Sequence, residues 1–248
     1  MKIRIATHNI HKGFSHFNRR MMVHELRDGL RELAVDIVFL QEVQGQHQQH
    51  ATRFQNWPAE PQYEFLADQV WSDFAYGRNA VYDHGHHGNA ILSRYPIMRA
   101  ENQDVSSHQL ERRGLLHCEI SVPGTTATLH CVCVHLALTE RHRHYQIGAL
   151  IDRLHRLVPD DAPLIIAGDF NDWRNLGGHR LAKELRLKEA FRDHHGKYAR
   201  SFPCALPVLR LDRIYIRGFR VRQAEVHHGF PWSRISDHAA LSAHLDME

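Results

Sequence analysis

A chain of 248 residues, 43% of them hydrophobic, can bury a large core without disulfide or metal staples, and its net charge of +3 is only mildly basic. No stretch approaches the roughly 20 apolar residues of a membrane span, and the opening MKIRIATHNI has no apolar core or cleavage site of a secretory signal. The four cysteines (Cys118, Cys131, Cys133 and Cys204) read as reduced core thiols, because Cys131 and Cys133 share one face of a strand pattern. Together these features predict a cytoplasmic protein with no stable membrane insertion.

Residues 3–8 read as a first strand ending at Asn9, followed by a helix with Met22, Leu26, Leu30 and Leu33 on one face. Residues 36–40 form a second strand, too uniformly apolar to have a wet face. Residues 44–61 are rich in Gln and His and read as a helix or loop over the surface. Strand patterns recur around 74–82, 89–93, 114–122 and 126–136. A second amphipathic helix carries Ile147, Leu150, Ile151, Leu154 and Val158, and Pro159 and Pro163 bracket the turn into a strand at 164–167. A short helix at 178–187 and strands at 211–216, 219–226 and 239–245 complete the chain. Many strands with few helices, and no linker, predict two packed, mostly antiparallel β-sheets flanked by helices, an α/β (α+β) sandwich built as one domain over residues 1–248.

Polar residues stand where these apolar runs begin or end: Asn9, Glu42, His135, Asp169 with Asn171, Asp212, and Asp237 with His238. Any one of them is ordinarily just the start of a loop. Six repetitions are another matter, since open sheets gather ligands at strand ends. Carboxylates with an amide suit a hard divalent ion, and imidazole beside carboxylate suits phosphate-ester cleavage.

The chain resembles the endonuclease/exonuclease/phosphatase superfamily, metal-dependent phosphoesterases with the fold of pancreatic-type deoxyribonuclease. Seven phrases carry the likeness in family order: Thr7-His8-Asn9, Leu40-Gln41-Glu42, residues 88–93, Val134-His135-Leu136, residues 168–171, Leu211-Asp212-Arg213-Ile214 and Ser236-Asp237-His238. The resemblance implies a four-layer sandwich and a site for Mg²⁺ or Mn²⁺ held by Glu42 with Asn9 and Asp237. It also implies that Asp169 deprotonates the attacking water, that Asn171 holds that water or a phosphate oxygen, and that His238, oriented by Asp212, steadies the phosphoryl group. His135 matches the family's second histidine, and Asn89 matches an asparagine more suited to support than to chemistry. The expected reaction is in-line displacement by water at a phosphodiester.

Departures from the family pattern bear on the substrate. His11 stands where many family nucleases have an aspartate, a change at a second metal position that leaves one ion or two open. Gln44 replaces the arginine that deoxyribonucleases send into the minor groove, and Leu209 replaces the tryptophan of abasic-site endonucleases. Nucleic acid is preferred as substrate, with a phospholipid or inositol phosphate as the alternative and a non-catalytic binding module as the contrasting class. Arg113 and Trp173 are the candidate substrate contacts, Arg113 because it precedes a strand and Trp173 because it follows the 168–171 phrase. The 23 histidines, among them His84, His86, His87, His194, His195, His227 and His228, lack the frame of a zinc motif and are read as exposed loop side chains. Those from His84 to His87 lie just before Asn89 and are placed beside the cleft. Arg19-Arg20, Arg112-Arg113 and the run Arg141-His142-Arg143-His144 are read as phosphate contacts or solvated charge.

Overall fold

Alternation along the central strands accounts for the architecture. In β1 (Lys2–Asn9) and β2 (Ile37–His47), Ile3, Ile5, Ile37 and Phe39 point one way and Ala6, Val38 and Leu40 the other, and both sets are buried. A strand covered on both faces has no wet side, which is why residues 36–40 are apolar throughout. The computed structural model describes residues 1–15, 20–47, 53–54, 56–108 and 111–248. Part of the 44–61 expectation, and Arg19, fall outside those residues.

The remaining strands are β3 (Asp73–Tyr82), β4 (Gly85–Ser93), β5 (Ile97–Asp104), β6 (Gly114–Ser121), β7 (Thr128–His135), β8 (Leu164–Asp169), β9 (Lys188–Glu189), β10 (Asp212–Arg217), β11 (Phe219–His227) and β12 (Ala240–Met247). They form two six-stranded sheets, in the orders β11-β12-β1-β2-β4-β3 and β5-β6-β7-β8-β10-β9. Each sheet is antiparallel apart from one parallel pair, β1 with β2 and β7 with β8. The inner faces share a core of Ile5, Phe39, Ile91, Cys131, Ile165 and Ile214 among others. Outside the first sheet pack α1 (Val23–Glu32), α2 (Gln62–Ala67) and α6 (Trp232–Ile235); outside the second pack α3 (Glu140–Leu157) and α4 (Leu176–Glu184). The four-layer sandwich expected from the sequence is therefore the observed fold.

Several boundaries differ, each for a physical reason. Helix α1 starts at Val23, so its buried face is Val23, Leu26 and Leu30, with Met22 before the helix and Leu33 past its end. Strand β5 is an edge strand with no fully buried residue, and of its few apolar side chains Met98 and Ala100 are exposed, so it leaves almost no apolar pattern to read. Helix α5 (Ala190–His195) spans only six residues; the Glu189 side chain accepts from Arg192 N at 2.8 Å at its start and Gly196, at φ +72°, closes its end. Strand β2 does not stop at Leu40 but runs on to His47 through an irregularity, the pairing with β4 slipping between Leu40 and Val43. Glu42 is thus inside a strand rather than at its end, and its φ of +58° turns it out of the regular pleat.

The four cysteines are buried and unpaired, as read from the sequence. The histidines are a correction: His86 and His87 belong to β4, His194 and His195 to α5, and His227 ends β11 with its ring bonded to Ser242 Oγ at 2.8 Å. These rings sit in regular elements, where sequence composition had suggested loops.

Candidate active site

Strand ends from both sheets meet at one edge of the sandwich. The parallel pairing of β7 and β8 sets His135 opposite Asp169, and the antiparallel pairing of β10 and β8 sets Asp212 opposite the same residue. Gly168 makes this approach possible: a Cβ there would lie 1.9 Å from the Val134 carbonyl oxygen, and its φ of +148° is foreign to L side chains. Two charged groups and an imidazole are thereby forced into a space shielded from water.

Asp169 is 2% exposed. Its Oδ1 accepts from the backbone N of Asn171 at 2.9 Å and its Oδ2 from Asn9 Nδ2 at 3.2 Å. Nε2 of His135 and of His238 stand 3.6 and 3.8 Å from Oδ2. Burial, reinforced by the charge of Asp212 and opposed by that of His238, pushes the Asp169 carboxyl up to about 6. His238 donates from Nδ1 to Asp212 Oδ2 at 2.9 Å. Burial works against a charged ring, but Asp212 first and Asp169 next hold its pKa up to about 10. His135, equally buried and close to Arg113, is driven well below the ordinary histidine value. One imidazole at this edge is therefore charged at neutral pH and the other neutral.

Asn171 adopts φ +49° and donates from Nδ2 to the Leu136 carbonyl at 3.0 Å, so its amide is fixed beside His135. Ser236 donates to the Asn9 carbonyl at 2.7 Å and accepts from His238 N at 3.2 Å, tying the loop before β12 to the end of β1. His8 and Gln41 complete the support: His8 bonds the His238 carbonyl at 3.0 Å, and Gln41 reaches Thr7 Oγ1 at 3.2 Å.

The second half of the site lies around Asn9. Its Nδ2 is 3.4 Å from Glu42 Oε1, and its Oδ1 accepts from His11 N at 3.2 Å. His11 Nδ1 pairs with Asp237 Oδ1 at 3.3 Å, and Lys12 Nζ stands 4.0 Å from Glu42 Oε2. His11 and Lys12 both have left-handed backbones, with φ 44° and 58°. Pairing with Asp237 raises the His11 pKa, with Glu42 adding to the effect. Although burial opposes it, the His11 hydrogen bond holds Asp237 down at about 2. Two carboxylates and an amide, from three separate segments, thus gather around His11 and Lys12. Such a donor set suits Mg²⁺ or Mn²⁺, which prefer oxygen ligands and keep several waters. Asp169, Asp212 and His238 also present ligand atoms within 4.8 Å of one another, with His238 Nδ1 and Asp212 Oδ2 bonded to each other and Asp169 Oδ1 accepting from Asn171 N.

Asn89 crosses between the sheets, donating from Nδ2 to the Gly114 and Cys133 carbonyls at 3.0 and 3.3 Å. Arg113 reaches the Leu136 carbonyl at 3.3 Å and Glu111 Oε1 at 3.0 Å, next to His135. Trp173 is 44% exposed and lies over the Arg143 guanidinium, 5.2 Å from ring centroid to Cζ. Arg143 corrects the reading of its run as solvated charge: it is 3% exposed and donates to the Ala137 and Leu138 carbonyls. Gln44 is buried, its N–H donating to Gln62 Oε1 at 2.9 Å, so it cannot enter a groove. Lys12, beside Glu42, escaped the sequence reading, and nothing in the sequence distinguished it. His87, from the histidine run placed beside the cleft, is pushed down to about 4 by burial and then by Lys12.

Comparison with known proteins agrees with this geometry. Residues 6–238 match the profile described as Endonuclease/Exonuclease/phosphatase family. An uncharacterized protein YbhP of Escherichia coli (strain K12) is 50% identical over 244 residues, covering 98% of this chain and 96% of its own. A Bacteroides vulgatus endonuclease/exonuclease/phosphatase superposes with a TM-score of 0.77 at 16% identity over 100% of both chains. D. rerio TDP2 complexed with single strand DNA product superposes at 0.70 with 19% identity over 99% of each chain. The chain belongs to the endonuclease/exonuclease/phosphatase family, whose members hydrolyse phosphoester bonds with the help of divalent metal.

Proposed function

We propose that this chain is a Mg²⁺- or Mn²⁺-dependent phosphodiesterase whose substrate is a nucleic acid, acting in the cytoplasm where its four unpaired thiols stay reduced. The observation that carries this reading is the buried Asp169, poised between a neutral His135 and a charged His238–Asp212 pair. A carboxyl raised to about 6 is a competent proton acceptor near neutral pH, and Asn171 and Asn9 fix its orientation. Asp169 takes the proton of the attacking water, and Asn171 holds that water or a phosphate oxygen. His238 donates from Nε2 to the phosphoryl oxygen as negative charge develops, and Asp212 keeps the ring charged and oriented. His135 contacts the phosphate on the leaving-group side. Glu42, Asn9 and Asp237 would hold the ion, which when bound neutralises phosphate charge. Asn89 braces the two sheets beneath the site, while Arg113 and Trp173 meet the substrate at its rim. Support for nucleic acid comes from the shared fold of the TDP2 chain solved with single strand DNA product.

A phospholipid or inositol phosphate is the second reading. It rests on the exposed Leu206, Val208 and Leu209 of the loop leading to Asp212, with Phe230 exposed nearby. The test is hydrolysis of a model phosphodiester, single-stranded DNA, RNA, phospholipid vesicles and an inositol phosphate under one set of Mg²⁺ and Mn²⁺ conditions. Metal-dependent cleavage of DNA or RNA, lost in Asp169→Ala and His238→Ala, supports the proposal. Cleavage of lipid or inositol phosphate alone moves the substrate, and full activity in both variants removes the assigned roles.

A further inference from the structure

A second constellation lies on the rim, away from the carboxylates just described. Residues His108 and Glu111 pair as an antiparallel bridge in the loop between β5 and β6, and His142 sits in the first turn of α3. Each offers one ligand atom, and the three atoms lie within 4.8 Å of one another. His108 Nε2 and Glu111 Oε2 are 3.7 Å apart, and the two imidazole centroids 5.0 Å apart. Ligands bonded at about 2.0–2.1 Å around a tetrahedral ion stand roughly 3.4 Å from each other, so small rotations of surface side chains would close the set.

We infer that His108, Glu111 and His142 form a second metal site, one for a borderline ion such as Zn²⁺ rather than for the hard ion of the oxygen-rich centre. Two observations beyond proximity point to a ligand. His142 Nδ1 is shielded from water and has no hydrogen-bond partner among the described residues, an unfavourable state for a polar ring atom. The Glu111 carboxylate is held from behind: Oε1 accepts from Arg113 Nη2 at 3.0 Å and from Leu138 N at 3.1 Å, leaving Oε2 facing His108. Fixing a ligand through its other oxygen is how metal sites orient their carboxylates. A cavity of about 430 Å³ lined by Ser106, Ser107, Arg141, His142 and Tyr145 opens beside the cluster and gives an entry path. Two imidazoles and one carboxylate leave a fourth position to water.

An ion here would clasp the loop before β6 to the start of α3. Arg113, two residues past Glu111, donates to the Leu136 carbonyl beside His135. The site therefore acts as a structural clasp that sets where Arg113 stands relative to the phosphate.

The experiment uses the full chain with Glu42→Gln and Asp237→Asn, so that the oxygen-rich centre does not compete. Zn²⁺ is titrated by calorimetry, and Co²⁺ is followed by its visible absorption. The expected result is one tightly bound Zn²⁺ and an intense Co²⁺ band, with affinity reduced at least about 100-fold when His142→Ala or His108→Ala is added. His108 is exposed and His142 only partly buried, so thermal unfolding of the two metal-free variants should match the parent. Zn²⁺ binding as tight in both variants as in the parent, or no binding in the parent, overturns the inference.

Discussion

Two buried histidines behave in opposite ways: His238 precedes β12 of the first sheet, and His117 lies in β6 of the second. His238 and His117 are almost equally hidden, 7% and 5% exposed. His238 faces Asp212 at 2.9 Å and Asp169 at 3.8 Å and keeps its proton up to about 10. His117 shares the face of Leu115 beneath α3 and bonds the His130 ring at 3.0 Å; burial, then His130 and Arg153, drive its pKa to about 4. Burying an ion costs several kcal/mol unless an opposite charge repays it. Burial thus strips a histidine of its charge unless a carboxylate bonds it as Asp212 bonds His238; His135, 3.6 Å from Asp169 but close to Arg113 and His238, is driven down. The proposed chemistry uses the carboxylate-paired ring, whereas His117 and His130 bond each other beneath α3.

The largest expected effect follows from removing the carboxyl that His135 and His238 both face. Asp169→Asn keeps the shape and, through its one amide oxygen, the bond from Asn171 N, but it loses the acceptor facing Asn9 Nδ2 and cannot take a proton, so turnover of a model phosphodiester should fall roughly 10³-fold. Steady-state rates with Mg²⁺ check this, and a loss under threefold contradicts the role. Asp212→Asn strips His238 of its closest charge. Its ring pKa, read by NMR of the imidazole nitrogens, should fall below 7, with a rate loss of roughly 10²-fold. An unchanged titration would mean that Asp212 does not set the ring's charge.

The His117–His130 pair should respond in the other currency. His117→Asn loses a buried hydrogen bond worth about 1–2 kcal/mol, visible in denaturant unfolding, while hydrolysis stays within twofold. A rate loss like that of Asp212→Asn would erase the distinction between the pairs. The smallest effect extends the comparison to a buried acid with no ring beside it. Burial raises Glu189 from 4.5 to about 7. An acid that binds its proton more tightly when folded costs nothing below pH 4.5, then destabilises increasingly as pH rises through about 7. Glu189→Gln, whose amide oxygen can still accept from Arg192 N, should therefore gain stability at pH 8 by about 1–2 kcal/mol and little at pH 5. Equal gains at both pH values would contradict the assignment.

Much of this was legible before any coordinates. Asn9, His135, Asp169 and Asp212 sit at the ends of strands buried on both faces, and such strands announce their limits by an abrupt change from apolar to polar. Glu42 was found but misplaced, because a slip in strand pairing has no composition and β2 runs on through it. The cations were harder. Lys12 and His11 gain their meaning only from Glu42 and Asp237, which lie far along the chain. Arg143 read as a phosphate contact or solvated charge because its partners, the Ala137 and Leu138 carbonyls and the Trp173 ring, are set by the turn into α3 and the packing of a distant loop. Edge strand β5 was missed because an edge needs no apolar face to announce it.

The most direct test is an anomalous difference map from crystals soaked with Mn²⁺. The proposal requires an ion bonded to Glu42 and within reach of Asn9 and Asp237, with occupancy lost in Glu42→Gln. A protein that hydrolyses phosphodiesters with Mn²⁺ while the map is empty at Glu42 would contradict the account.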